Sequence, residues 1–223
     1  MHVDPDTAVS AMATLWRSFG NEVSTPLTST WRSMCEAFNE AGQTNNSAGW
    51  TALAMPTGIG KTQFAALYCA LMPNPALDLS NLRSVVLHPG VLFVTRFIAE
   101  ANKFAALVNK HAGRKVAAAY YKNSDIGLTD AVRFPVLIIT HAACEKHQLN
   151  DSIDGSGETL WAHLTTWHQG RRAKIIIDEM PNFIAPVQLS SQWLSLLVGA
   201  LSRLPDTDKR LHSDLEQLLC LIT

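Results

Sequence analysis

The sequence predicts a three-layer α/β fold in which a parallel sheet carries helices on both faces. Three observations predict it. An apolar run breaks at Met55-Pro56-Thr57-Gly58-Ile59-Gly60-Lys61-Thr62 into a glycine-bearing loop and then into an apolar helix. A β-branched run, Lys174-Ile175-Ile176-Ile177, enters a pair of acids, Asp178-Glu179, as a central strand covered on both faces would. Between them strand and helix patterns alternate, which is the signature of parallel strands joined by helical crossovers.

Taken in order, residues 7–19 and 27–41 carry apolar side chains at helical spacing, Leu15 and Phe19 in the first and Met34, Ala37 and Phe38 in the second. They form a helical preamble, residues 1–45. The polar stretch 42–49 is a loop, and Thr51 to Met55 reads as a short buried strand leading into the glycine loop. Lys61 to Met72 reads as a helix with little polar face, stopped by Pro73 and Pro75. Val91 to Val94 is the next strand, followed by a helix through Ile98, Ala101, Phe104, Ala105 and Val108. Val116 to Tyr121 and Val136 to Ile139 are further strands, the latter running through Thr140-His141 into a short helix toward His147; Trp161 to Trp167 reads as helical. The nucleotide-binding pattern thus spans residues 46–186. Residues 187–223 form a leucine-rich helical segment in which Leu211, Leu215, Leu218, Leu219 and Ile222 recur at helical spacing, an apolar face that reads as incomplete.

The 223 residues are 47% hydrophobic and 17% charged, enough for a sizeable core, and a net charge of -1 offers no overall basic footprint for nucleic acid. The N-terminus lacks a basic start with an apolar signal core, and no apolar stretch approaches the roughly 18 residues of a spanning helix, so a cytoplasmic location without a membrane partner is expected. Cys35, Cys69, Cys144 and Cys220 show no paired spacing and read as reduced, mostly buried thiols. His141, His147, His163 and His168 match no familiar ligand spacing and read as surface or satisfied histidines. Arg171, Arg172 and Lys174 read as a solvated entry to the last strand.

The chemistry is concentrated in two places. Gly58 and Gly60 can adopt positive φ and admit an oxygen where a Cβ would block it, so the N–H groups of Thr57, Gly58, Ile59 and Gly60 can converge on phosphate oxygens. The following helix adds its positive end. Lys61 would neutralise the outer phosphates, and the Thr62 hydroxyl would fill one Mg²⁺ coordination position. The full phosphate-loop consensus would place its first glycine at Met55, so the match is partial. The second place is Asp178-Glu179, 117 positions after Lys61 by subtraction. A buried strand ending in a carboxylate sets Asp178 at the C-terminal edge of the sheet, where parallel sheets bind ligands; it would hold Mg²⁺, and Glu179 would orient the attacking water. The plainer alternatives are a glycine turn before an ordinary helix and a strand capped by two solvated acids.

Together these motifs resemble the first, RecA-like ATP-binding domain of superfamily-two helicases of the DEAD/DEAH type. Pro56-Thr57-Gly58-Ile59-Gly60-Lys61-Thr62 is similar to their Ala-x-x-Gly-x-Gly-Lys-Thr loop, with Met55 in place of the alanine. Asp178-Glu179-Met180-Pro181 stands where they have Asp-Glu-Ala-His or Asp-Glu-Ala-Asp, so the resemblance implies ATPase chemistry while the pair linked to strand separation is replaced. Thr95-Arg96-x-x-Ala99-Glu100 and Ile138-Ile139-Thr140-His141 resemble the family's segments that contact the nucleic-acid backbone, and Gln43 resembles its adenine-reading glutamine, though displaced into the loop. The resemblance covers about residues 25 to 185; no Ser-Ala-Thr motif follows Asp178. It implies ATP and Mg²⁺ as ligands, DNA or RNA as partner, and a second helicase domain or partner chain to complete the site. The competing reading is a non-catalytic nucleotide-binding module that recruits a partner through the C-terminal helices. A small-molecule kinase is disfavoured by Glu179, since water activation is what that residue supplies.

Overall fold

The structure is a computed structural model and describes residues 2–41, 51–72, 90–149, 159–168 and 170–179. All lie within one compact unit, Met1–Pro181; a second unit, Asn182–Thr223, lies outside the described residues, as do the expected C-terminal helices, Gln43 and Cys220. In order the elements are α1 (Pro5–Ser18), α2 (Thr25–Glu40), α3 (Lys61–Leu71), β1 (Val91–Thr95), α4 (Ile98–Ala112), β2 (Ala117–Tyr120), α5 (Leu128–Ala131), β3 (Val136–Thr140), α6 (His141–Leu149), α7 (Leu160–Thr165), β4 (Thr166–Trp167), β5 (Gly170–Arg171) and β6 (Lys174–Ile177). Strands β2-β3-β1-β6 form a four-stranded, wholly parallel sheet.

Alternation along each strand sorts side chains to two faces. Val91, Phe93, Ile138 and Ile176 point into one core with α1, α2, α3 and α4, where the Phe93 and Phe104 rings stack at 3.7 Å. Leu92, Val94, Leu137 and Ile139 point into the other with Ala131, Cys144 and Leu164 from α5, α6 and α7. Every residue of β1 and of β3 is buried, which explains their unbroken apolar runs. The layering is therefore the one the alternating pattern predicts.

Three local expectations are corrected. Residues 51–55 are not a buried strand: they pair with none of the four strands and are exposed except for the half-buried Met55. Two alanines and no β-branched residue beyond Thr51 give this stretch little strand preference. The helix expected over Trp161 to Trp167 stops at Thr165, and Thr166–Trp167 pairs antiparallel with Gly170–Arg171. Successive threonines form helix poorly, and Gly170 sits at φ +145, which favours glycine.

The third correction concerns the basic cluster at the start of β6. Arg171 is exposed, but Arg172 and Lys174 are buried, at 2% and 4% exposure. The Arg172 guanidinium donates to five carbonyls, those of His163, Leu164 and Thr166 through Nη1 and those of Ala131 and Phe134 through Nη2. It therefore ties α5, α7 and β4 to the sheet. Lys174 Nζ donates to the carbonyls of Phe38 at 2.5 Å and Asn39 at 3.2 Å, the last turn of α2, where a cation offsets the negative end of the helix. Burial pushes the Lys174 ammonium down to about 8. Three thiols, Cys35, Cys69 and Cys144, are free and buried.

Replacing Arg172 with leucine removes one buried donor shared by five carbonyls, so Arg172→Leu is predicted to lower the unfolding free energy by roughly 3–5 kcal/mol, against a change within about 0.5 kcal/mol for Arg171→Leu. Urea unfolding followed by circular dichroism measures both. Equal effects would contradict the carbonyl-binding role.

Candidate functional site

The C-terminal ends of the parallel strands bring the chemistry to one edge. Thr95 and Thr140 are register partners at the ends of β1 and β3, and Asp178 follows β6 with its N–H donating to the Val94 carbonyl at 3.0 Å. Asp178 is thus fixed by one more rung of the β1–β6 ladder. Thr62, in the first turn of α3, lies against it: its hydroxyl is 3.4 and 3.3 Å from the two carboxylate oxygens of Asp178. These are long hydrogen bonds between residues 116 positions apart in sequence, and they bring the two chemical motifs into contact.

The loop before α3 has the geometry its glycines predict. Gly58 has φ +80 and Gly60 φ +78 with ψ +33. Gly60 is the N-cap of α3, and no side chain caps this helix start, whose first amides are therefore open to an anion. Lys61 Nζ donates to the loop's own Met55 and Pro56 carbonyls at 3.2 and 3.4 Å, folding back over the loop. Burial raises the Asp178 carboxyl above its ordinary value, opposed by the Thr62 hydrogen bond, while the nearby Glu179 and Glu100 add to the rise.

Glu179 is exposed and pairs with Arg96 at 3.9 Å, a distance at which two exposed side chains contribute little stability. Arg96 also lies over the Phe97 ring, 5.2 Å from its centroid. Thr95 is buried and turned inward, donating to Glu100 at 3.0 Å, and Thr140 accepts from the Ala143 N–H at 3.2 Å as the cap of α6. Of the two segments read as backbone contacts, then, residues 96–100, Arg96 among them, are exposed, and the two threonines serve their own helices.

Thr62 and Asp178 are two hard oxygen donors close enough to share a small cation, and Mg²⁺ asks a protein for one or two such groups, taking the rest from phosphates and water. The donor set fits that ion. Among the described residues no cluster of three or more His, Cys, Asp or Glu is placed to hold a metal. Among the same residues, no helix is long and apolar enough to cross a membrane.

Sequence reasoning missed the groups that hold the loop from behind. Trp31, fully buried in α2, donates its indole N–H to the Ile59 carbonyl at 2.9 Å. Trp16 and Met12 of α1 close on Gly60, where a Cβ would lie 2.7 Å from Trp16 Cζ3 and 2.8 Å from Met12 Cε. The signal available was the indole N–H itself, which in a buried tryptophan must find an acceptor.

Comparison of the chain with protein-family models, with curated proteins and with solved structures gave no match in any of the three. The functional reading therefore stands on the site.

The two loop glycines differ in a testable way. Gly60→Ala meets both the positive φ and the rigid Trp16 ring, and is predicted to destabilise by about 2–4 kcal/mol. Gly58→Ala, with nothing within 4 Å of its Cβ, should cost only the roughly 1–2 kcal/mol of the backbone conformation. Thermal melts of the two variants check the difference, which vanishes if the Trp16 and Met12 contacts are absent in solution.

Proposed function

We propose that the chain binds Mg²⁺-ATP at residues 57–62 and hydrolyses it, as the N-terminal motor domain of a helicase-type ATPase coupled to DNA or RNA. The observation that carries this reading is the contact of Thr62 with Asp178 at the mouth of the glycine loop. In it the loop amides and Lys61 bind the phosphates, and Lys61 exchanges its two loop carbonyls for phosphate oxygens. Thr62 and Asp178 hold Mg²⁺, which when bound neutralises charge developing on the phosphates. Glu179, one residue further along the same edge, orients the attacking water and accepts its proton. Arg96 lies 3.9 Å from Glu179, so a nucleic-acid phosphate drawn to its guanidinium would be felt directly at the hydrolytic carboxylate.

The ion pair on Glu179 also suits a module that binds nucleotide without turnover. Two variants separate the readings. Lys61→Ala should weaken Mg²⁺-ATP binding by at least ten-fold in calorimetry, because it removes the one side-chain cation of the loop. Glu179→Gln should keep wild-type affinity and lose phosphate release, since an amide accepts no proton. Equal affinity for wild type and Lys61→Ala would exclude the nucleotide site. Nucleotide binding by wild type without phosphate release, with single-stranded DNA, RNA and a second helicase domain supplied, would establish the module.

A further inference from the structure

The Ile59–Gly60 peptide is the point at which the loop can go wrong. Turning that peptide plane over changes only ψ of Ile59 and φ of Gly60, and a glycine accepts either sign of φ. In one orientation the plane offers an N–H to an anion in the loop; in the other it offers a carbonyl oxygen, which repels it. A phosphate loop needs something to choose.

Trp31 makes the choice. Its indole Nε1 donates to the Ile59 carbonyl oxygen at 2.9 Å from a ring that is fully buried in α2. In a trans peptide the carbonyl and the following N–H point in opposite directions, and among the described residues no peptide is cis. With the Ile59 carbonyl drawn toward α2, the Gly60 N–H is directed away from α2. The tryptophan is itself held: Trp16 meets it edge to face with centroids 5.7 Å apart at 71°, and Trp16 and Met12 block the space behind Gly60. The helical preamble is therefore the back wall of the loop.

We propose that Trp31 is a positioning residue of the phosphate loop, its indole N–H locking the Ile59–Gly60 peptide with the Gly60 N–H turned toward the phosphates of a bound nucleotide. This rests on the nucleotide reading of the same loop. It adds that the N-terminal helices set the loop's affinity through one hydrogen bond, so that anything displacing α1 or α2 would release phosphate without touching Lys61, Thr62 or Asp178.

The test uses the full 223-residue chain. Trp31→Phe keeps an aromatic ring and removes the N–H; should it fail to fold, replacing Trp31 with benzothienylalanine, whose sulfur stands where the indole N–H was, keeps the shape. Calorimetry with Mg²⁺-ATP and with pyrophosphate should show affinity falling about ten-fold or more in either variant, as for loss of one charge-assisted hydrogen bond. In ¹⁵N spectra the Gly60 amide of the wild type should move on adding pyrophosphate, and in the variant it should stay still. Wild-type binding with variant affinity within two-fold overturns the inference and leaves the nucleotide site intact. A weakened variant whose Gly60 amide still moves also overturns it, since the tryptophan would then serve the fold alone. Failure of the wild type to bind either ligand overturns the nucleotide reading, and this inference with it.

Discussion

The strand Val91–Thr95 is hydrogen-bonded on both edges and covered on both faces, and the site depends on that enclosure. A strand in this position has no polar outlet except its two ends, so the five residues must be apolar until the last, and the first polar groups surface together at the sheet's C-terminal edge. The ladder to β6 then fixes Asp178 through Val94, and the packing of α3 in the same core as Phe93 brings Thr62 to it. The chemistry is placed by the register of apolar residues. A one-residue slip of β6 would turn Asp178 to the other face of the sheet.

Two buried cations stand at the opposite end of β6, where strands begin. Arg172 and Lys174 hold carbonyls of α5, α7, β4 and α2, at helix ends and short connections where the regular backbone ladders run out. A buried cation costs solvation, and the lowered position of the Lys174 ammonium reflects it. What it returns is specificity of attachment, since a guanidinium with five acceptors seats only where those five carbonyls converge. The sheet thus has an end built for rigidity and an end left open for chemistry.

The parts of this arrangement that follow from periodicity were legible in the sequence. β1, β3, α3 and α4 show themselves because burial dictates their apolar pattern, whereas β6, read as a central strand covered on both faces, ends the described sheet with Ile175 and Ile177 only half-buried; the approach of Thr62 to Asp178 follows from the edge to which parallel strands deliver their last residues. The parts that depend on partners were not. Thr51 to Met55 is apolar enough for a strand, yet apolar content does not supply a neighbouring edge to pair with. Arg172 and Lys174 look like solvated basic residues because nothing local announces the carbonyls gathered around them from residues up to 136 positions away. Trp31 sits at core spacing in α2, and periodicity explains its ring while leaving its N–H unassigned.

The bond from Lys174 to the end of α2 also has a bearing on how the chain is made. Phe38 and Asn39 leave the ribosome some 135 residues before the lysine that fixes their carbonyls. At a synthesis rate of about 5–20 residues per second, that interval is roughly 7 to 27 seconds. In the first part of it, before α3 and β1 follow, the helical pair must carry its apolar stripe, Met12, Trp31, Met34 and Phe38, without the core that later covers it. The pairing of Arg32 with Asp6 across α1 and α2, and of Trp16 with Trp31, can form from residues already synthesised. The first forty residues therefore have the means to wait as a hairpin, and β6, the strand that delivers the acidic pair, is also the one that ends the wait.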